Sequence, residues 1–106
     1  MAFEIARYVR SDGNCPVAEW FATLAPAIQM RVSKAIAKVE CGNFGNCRSI
    51  TGGEGVCEIR MDFGPGYRLY YGIDGATIIL LLCGGDKSTQ RRDIEKAKEY
   101  WREYRS

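Results

Sequence analysis

The sequence contains no histidine, so the side chain that most often moves protons at neutral pH is missing. Triad catalysis with histidine as its base is therefore excluded, and a zinc site would depend on cysteines and carboxylates alone. The five cysteines contain no C-x-x-C pair, and their spacing does not suit a metal. We expect neither a metal nor a cofactor.

Long hydrophobic runs are also missing. The longest apolar segment, residues 76–83, is far shorter than the roughly 18 residues that a membrane helix needs. The N-terminus lacks a basic segment followed by an apolar stretch, so no signal peptide is expected. We therefore predict a cytoplasmic protein without membrane contact. Reduced cysteines are the norm there, and a disulfide between Cys41 and Cys47 is the less favoured alternative.

A strong charge of one sign is absent as well. The formal net charge is +2, so the overall charge indicates no particular partner. The length of 106 residues, with 46% apolar and 26% charged residues, is typical of one globular domain spanning residues 1–106. Residues 41–55 are rich in glycine but fit neither common phosphate-binding motif. We reject nucleotide binding and predict a loop there.

Three segments with strand patterns are joined by two turn signals. Residues 56–63, 67–73 and 76–83 are separated by Gly64-Pro65-Gly66 and by Asp74-Gly75. Glycine adopts left-handed backbone without strain, and Asp-Gly between apolar runs is typical of a two-residue hairpin. These features predict an antiparallel β-meander.

The turns also predict the pairing of the strands. A two-residue loop pairs Ile73 with Ala76, and a three-residue loop pairs Met61 with Leu69. One face of the sheet is then apolar and carries Ile59, Met61, Leu69, Tyr71, Ile78, Leu80 and Leu82. The other face is expected to be a shallow charged surface, our candidate site. It carries Glu58, Arg60, Asp62, Arg68 and Tyr70 and continues into Ile79, Leu81 and Cys83 of the last strand.

Helical patterns occupy most of the remaining chain. Prolines 16 and 26 suit the first turns of helices over residues 16–24 and 26–40, and an apolar stripe predicts a last helix ending near residue 104. A short strand is predicted over residues 3–8. The predicted fold class is α+β with the order β-α-α-β-β-β-α: an antiparallel sheet with two N-terminal helices packed on one face and a C-terminal helix.

Two helix surfaces leave alternatives open. Arg31, Lys34 and Lys38 share the outer side of the second helix, which we interpret as a solvated face, with a surface for nucleic acid or the ribosome as the alternative. The apolar stripe of the last helix is Ile94, Ala97, Trp101 and Tyr104. We expect it to pack on the sheet, and the alternative is a contact with another protein.

Four cations are expected to converge on the charged face. Arg60 and Arg68 come from adjacent strands, Lys87 follows the third strand, and Arg48 precedes the first. Arginine binds phosphate through paired hydrogen bonds and lysine as a point charge, so the cluster suits a phosphate or an oligonucleotide. Tyr70 could stack on a base. The alternative is that Glu58 and Asp62 neutralise the two strand arginines as cross-strand ion pairs, and spacing alone favours neither.

Several spaced motifs across nearly the whole chain closely resemble the RelE/ParE toxin superfamily, and more narrowly the HigB-like group of addiction module killer proteins. They are Gly42-Asn43-Phe44-Gly45, Gly55-Val56-x-Glu58-Ile59-Arg60, Gly64-Pro65-Gly66-Tyr67-Arg68-Leu69-Tyr70-Tyr71 and Gly84-Gly85-Asp86-Lys87-Ser88-x-Gln90-x-x-Asp93-Ile94-x-x-Ala97. The resemblance implies the fold predicted above. It also implies a bacterial toxin with a co-expressed antitoxin, often a helix-turn-helix protein, so that DNA is bound only through the complex.

The resemblance further implies an endoribonuclease that cleaves mRNA in the ribosomal A site. Arg68 would stabilise the scissile phosphate, Arg60 and Arg48 would hold the backbone, and Lys87 would stand near the leaving oxygen. Glu58 is the carboxylate nominated as base, and Tyr70 is nominated for stacking.

The sequence departs from these relatives at three places. They usually carry lysine in place of Arg48 and often an acid in place of Asn46. Some use a C-terminal histidine or tyrosine as acid, whereas this chain has Asp93 and Ile94 in that region.

Two other functions compete with a ribosome-dependent nuclease. A ParE-like protein would inhibit DNA gyrase by protein–protein contact without nuclease activity. A third possibility is an inactive member that serves only as an interaction module. The converging cations favour the nuclease over the gyrase inhibitor.

Overall fold

The computed structural model describes residues 2–106, which form five strands and three α-helices. The order agrees with the prediction except for one additional short strand within the glycine-rich segment that the sequence predicts as loop. In chain order the elements are β1 (Glu4–Arg7), α1 (Pro16–Ala22), α2 (Pro26–Glu40), β2 (Cys47–Ser49), β3 (Cys57–Met61), β4 (Tyr67–Asp74), β5 (Ile78–Asp86), a 3₁₀ turn (Lys87–Thr89) and α3 (Gln90–Arg105).

The five strands form one sheet in the order β1-β5-β4-β3-β2. Strands β3 to β5 are antiparallel, as predicted, and the unpredicted β2 is antiparallel to β3. The prediction of an antiparallel sheet is wrong at β1, which joins parallel to β5. Strand β5 therefore has a neighbouring strand on each side, which agrees with its apolar residues on both faces. The new strand β2 forms the edge beside β3 and places Arg48 directly opposite Glu58.

The predicted β3–β4 register is wrong by two residues, but the predicted faces of the sheet are correct for these two strands. Met61 pairs with Tyr67 instead of Leu69, so the connection is longer than predicted. Because side chains alternate between faces, a shift of two residues leaves each side chain on its predicted face. Ile59, Met61, Leu69 and Tyr71 accordingly lie together in one core.

The predicted β4–β5 register is wrong by an odd number of residues over the first half of β5, which places the side chains of residues 78–81 on the opposite faces; a β-bulge follows between Tyr70 and Tyr71. Asp74 pairs with Ile78, and of the two predicted turn residues only Gly75 has a positive φ, of 63°. A type I′ turn needs positive φ at both central positions, so Asp74 stays in the strand and three residues make the connection. Ile79 and Leu81 consequently take the face predicted for Leu80 and Leu82.

Helices cover both faces of the sheet. The core beneath α1 and α2 includes Val17, Val32, Val39 and Leu69, and the core beneath α3 includes Tyr70, Leu80, Leu82, Ala97 and Trp101. The stripe of α3 packs on the sheet as predicted, although Tyr100 is buried where Tyr104 was expected. None of the helices in residues 2–106 is long and apolar enough to span a membrane.

Glycine allows both helical layers to approach the sheet. A Cβ atom at Gly84 would lie 2.3 Å from the Trp20 ring, and one at Gly72 would lie 2.5 Å from the Trp101 ring. No residue other than glycine fits at these two positions without displacing the tryptophan ring. The two tryptophans therefore lie directly on the backbone of β5 and β4.

Candidate functional site

Two rows of side chains cross the face of the sheet on which α3 packs. In one row Arg48, Glu58 and Tyr70 are neighbours across β2, β3 and β4. In the next row Arg60 pairs directly with Arg68. Residues directly opposite one another in antiparallel strands point to the same face, so the two arginines share one side as the sequence predicts.

Glu58 is a buried carboxylate between two arginines. Its side chain is 2% exposed, and its Oε1 lies 3.8 Å from Nε of Arg48 and 3.9 Å from Nε of Arg60. Its other oxygen, Oε2, accepts a hydrogen bond of 3.1 Å from Nε2 of Gln90 at the start of α3. The predicted neutralisation of Arg60 by Glu58 is thus present, but along one strand rather than across two.

Arg68 is buried, so the expectation of an open charged surface is wrong at this residue. Its side chain is 1% exposed, and Nη1 donates a 2.9 Å hydrogen bond to the Tyr67 carbonyl. The same nitrogen lies 3.6 Å from Oδ1 of Asp62, which is 79% exposed. Nε of Arg68 has no hydrogen-bond partner within residues 2–106. This buried donor is therefore unsatisfied, and an anion could reach it only if the side chains that cover Arg68 move.

Lys87 lies at the same end of the sheet as Arg68. It is exposed, and its backbone N–H donates a 2.9 Å hydrogen bond to the Gly66 carbonyl. A Cβ atom built on Gly66 would lie 3.0 Å from Cδ of Lys87 and 3.7 Å from Nη1 of Arg68. The bare backbone of Gly66 therefore lets the lysine chain and the guanidinium lie against the same point.

Asp86 fixes the turn that carries Lys87. Its carboxylate accepts a 2.8 Å hydrogen bond from the Ser88 backbone N–H and one of 2.5 Å from the Ser88 hydroxyl. These hydrogen bonds favour the charged form and lower the pKa of Asp86 below its usual value. Asp86 thus caps the 3₁₀ turn, whereas α3 itself begins after Thr89 without a side-chain cap.

Tyr70 is completely buried, so the expectation that it stacks on a base is wrong. Its exposure is 0%, and its ring belongs to the core beneath α3. Burial raises the pKa of its hydroxyl, and the negative charge of Glu58 adds to that shift. The hydroxyl has no hydrogen-bond partner in the described part of the chain. The error arises because α3 covers this face of the sheet, so that Tyr70 packs in one cluster with Ala97 and Trp101 of that helix.

Two polar residues of α3 belong to the site, although the sequence did not indicate this role for them. Gln90 orients Glu58, and Asp93 is buried at 5% exposure, with Oδ2 accepting a 2.5 Å hydrogen bond from the Thr89 hydroxyl. A Cβ atom at Gly85, the partner of Arg68 on β5, would lie 1.9 Å from that oxygen. Both residues lie in the motif that begins at Gly84, but their contacts depend on how α3 docks on the sheet.

The thiols and carboxylates form no metal site in the described chain. No group of three or more cysteine, aspartate or glutamate side chains within residues 2–106 is arranged to hold a metal ion. All five cysteines, including Cys41 and Cys47, are free thiols. The chemistry that this site offers through its own side chains is anion binding by arginine and lysine beside two buried carboxylates, Glu58 and Asp93.

Comparisons with known proteins agree with this architecture. Residues 19–102 match the model of a family described as phage derived protein Gp49-like. An uncharacterized protein of Haemophilus influenzae is 43% identical over 68 residues, which cover 64% of this chain and 67% of that protein. The structure of a mutant of the E. coli toxin RelE in the free state matches with a TM-score of 0.66 at 16% identity, covering 92% of this chain and 95% of that chain. Since the family model spans most of the sequence, the chain belongs to the Gp49-like family of phage-derived proteins and has the fold of the RelE-like toxin superfamily.

Proposed function

We propose that this protein is the toxin of a type II toxin–antitoxin pair and that it is an endoribonuclease which cuts mRNA on the ribosome. One observation carries the proposal. A chain with the RelE fold holds the guanidinium of Arg68 buried, with Arg60 directly across from it and Lys87 against the same glycine. Such a group of cations suits a phosphodiester better than a neutral substrate.

The chemistry is an internal phosphoryl transfer. The 2′-hydroxyl oxygen of the RNA attacks the adjacent phosphorus, and the bond from phosphorus to the 5′ oxygen breaks. The products are a 2′,3′-cyclic phosphate and a 5′-hydroxyl, so the proton lost by the attacking oxygen is balanced by the one that the leaving oxygen gains. Negative charge is stabilised by cations that are already in place before the reaction. Arg68 serves the scissile phosphate, while Arg60 and Arg48 hold the backbone.

The two proton transfers are assigned to Glu58 and Lys87. Glu58 is the nominated base because it is the carboxylate in the row beside Arg60 and Arg68, and Gln90 fixes its orientation. Lys87 is exposed at the end of the sheet and has protons to supply to the leaving oxygen. Arginine is a poor base, since its pKa is above about 12.

The partners follow from the family. RelE-like toxins pair with antitoxins, and we propose a co-expressed antitoxin with a helix-turn-helix, through which alone the pair contacts DNA. The HigB-like group is our finer assignment within the superfamily, and mRNA and the ribosome are the proposed targets.

Primer extension on a translated mRNA tests the proposal. Purified protein is added with and without ribosomes, and cleavage at defined positions is expected only when ribosomes are present. Lys87→Ala is the inactive comparison, because this side chain is exposed and its loss should leave the fold intact. Absence of cleavage by the wild-type protein, together with inhibition of DNA supercoiling by gyrase, would instead establish the ParE-like function.

A further inference from the structure

A groove lies on the side of the sheet opposite Arg68. It has a volume of about 650 Å³ and is bounded by α2, by the segment that precedes β2 and by the end of β3. The apolar residues at its floor, such as Val39, Ile59 and Met61, are almost fully buried at 1–4% exposure. The groups that the groove offers to a ligand are therefore those along its walls.

Cations line one wall of this groove. Arg31, Lys34 and Lys38 are spaced three and four residues apart, so they lie along one face of α2. All three are exposed, and none forms an ion pair with any residue in the range 2–106. The single carboxylate of the lining belongs to Asp62. These observations favour the alternative interpretation of this helix face, a surface for nucleic acid or the ribosome, over that of a solvated face.

An aromatic ring stands in the wall that faces these cations. The Arg31 guanidinium lies 3.7 Å from the centroid of the Phe63 ring, which fixes the charge by a cation–π contact. A cation–π contact does not use the guanidinium N–H groups as conventional hydrogen-bond donors, so they can still donate to a phosphate. Aromatic rings beside cations in a groove are the features that bind single-stranded nucleic acid.

The groove continues around the edge of the sheet to the site described above. A smaller cavity of about 340 Å³ is lined by Gly45, Asn46, Cys47, Arg48, Arg60 and Asp62. All of these except Arg48 also line the groove. The two cavities therefore form one surface that runs from Arg31, over the outer strand β2, to Arg48 and Arg60.

We propose that this surface binds the backbone of a single-stranded segment of the same RNA, next to the segment held for cleavage. The inference rests on the proposed function and adds a second binding site on α2. An RNA strand passes around the β2 edge, its phosphates paired with Arg31, Lys34 and Lys38 on one side and with Arg48 and Arg60 on the other. An apolar protein helix is the less suitable occupant, because such helices need an exposed hydrophobic groove and this floor is buried.

Salt-dependent binding of RNA tests the inference. Single-stranded RNA of about 12 nucleotides is titrated with Lys34→Ala/Lys38→Ala, and the slope of log affinity against log salt is compared with the wild type. Loss of two phosphate contacts should reduce the slope by about 1.4, since each contact to a single strand contributes about 0.7. The control is Arg7→Ala/Lys96→Ala, which removes the same charge from exposed positions on β1 and α3 and should leave the slope unchanged.

The length of the RNA separates the two binding regions. A fragment of about 4 nucleotides should bind the α2 variant as well as it binds the wild type, because it does not reach both regions. Equal slopes for the two double variants on the longer RNA would overturn the inference, as would a loss confined to affinity for the antitoxin. If either result is accompanied by intact ribosome-dependent cleavage, the proposed function still holds. A wild-type protein that binds RNA but never cleaves mRNA would overturn the proposed function alone.

Discussion

Arg60 and Arg68 are direct partners on β3 and β4, yet 40% of the Arg60 side chain is exposed and only 1% of Arg68. Two equal charges on adjacent strands thus lie in different surroundings. Arg60 can release its weak contact with Glu58 and follow a ligand, whereas Arg68 is held by packing and by the Tyr67 carbonyl. We therefore expect Arg68 to be the rigid member of the pair and Arg60 the adaptable one.

Substitution of Arg68 should cost stability as well as activity. Arg68→Ala removes a charged hydrogen bond and leaves a space in a buried region, so we expect a loss of roughly 1–3 kcal/mol in the free energy of unfolding. A residue on the open charged surface that the sequence predicted would have shown almost no loss. Urea denaturation measures the difference, and Arg60→Ala is the matched control, with less than half of that effect.

Lys87 provides the cleanest separation of activity from folding. Because its side chain is exposed, Lys87→Ala should melt within a few degrees of the wild type. Its cleavage rate should nevertheless fall by about 10²–10³-fold, the usual cost of removing one group that stabilises charge in the transition state. Growth arrest after induction and primer extension report the activity. Lys96→Ala, at an exposed position of α3, should remain toxic, and a toxic Lys87→Ala would refute the role of Lys87.

Glu58 and Gln90 can be tested as a base and its positioning residue. Glu58→Gln keeps the size of the side chain and removes its charge, so we expect the cleavage rate to fall by about 10²–10⁴-fold. Gln90→Ala leaves the carboxylate in place and removes one hydrogen bond, so its effect should be smaller. Gln90→Glu is the control that preserves length but sets two carboxylates together. A Glu58→Gln protein with the wild-type rate would show that another group accepts the proton.

Gly85 should tolerate no side chain. A Cβ atom there would meet the Asp93 carboxylate at 1.9 Å, so Gly85→Ala should push α3 away from β5 and destabilise the protein by about 1–3 kcal/mol. Gly45→Ala is a milder control, because its Cβ would meet only the Asn43 side chain, at 3.2 Å. Thermal unfolding of the two variants gives the comparison. Equal melting temperatures would mean that α3 can move away from β5 at little cost in stability.

The Cys83 thiol predicts how stability depends on pH in the alkaline range. Burial, followed by the nearby charge of Asp93, raises the pKa of this thiol from 9.0 to about 12. The thiol thus stays protonated in the folded state while the unfolded chain ionises. Its contribution to stability is complete below pH 9 and is lost between pH 9 and about 12, at up to about 1.4 kcal/mol per pH unit. Cys83→Ala should lose stability less steeply over that interval in urea melts. Parallel curves for both proteins would contradict this prediction.

Local patterns in the sequence were sufficient for much of the fold. Pro16 and Pro26 mark the first turns of α1 and α2, and the alternation along β3 and β4 places Arg60 and Arg68 on one side. That side assignment survived a wrong register because an even shift preserves the side on which each residue lies. The β5 assignment failed because Gly75 alone, and not Asp74, took the left-handed backbone, which made the shift odd.

Spacing between neighbours in the chain was enough to predict the number and type of most elements, and it placed several cations near one sheet face. It could not predict that Arg68 and Tyr70 are buried, that Gln90 donates a hydrogen bond to Glu58, or that α2 lines a cationic groove. These features depend on where α2 and α3 dock on the sheet. Docking is set by contacts between residues far apart in sequence, such as Trp101 against Gly72, which no local period encodes.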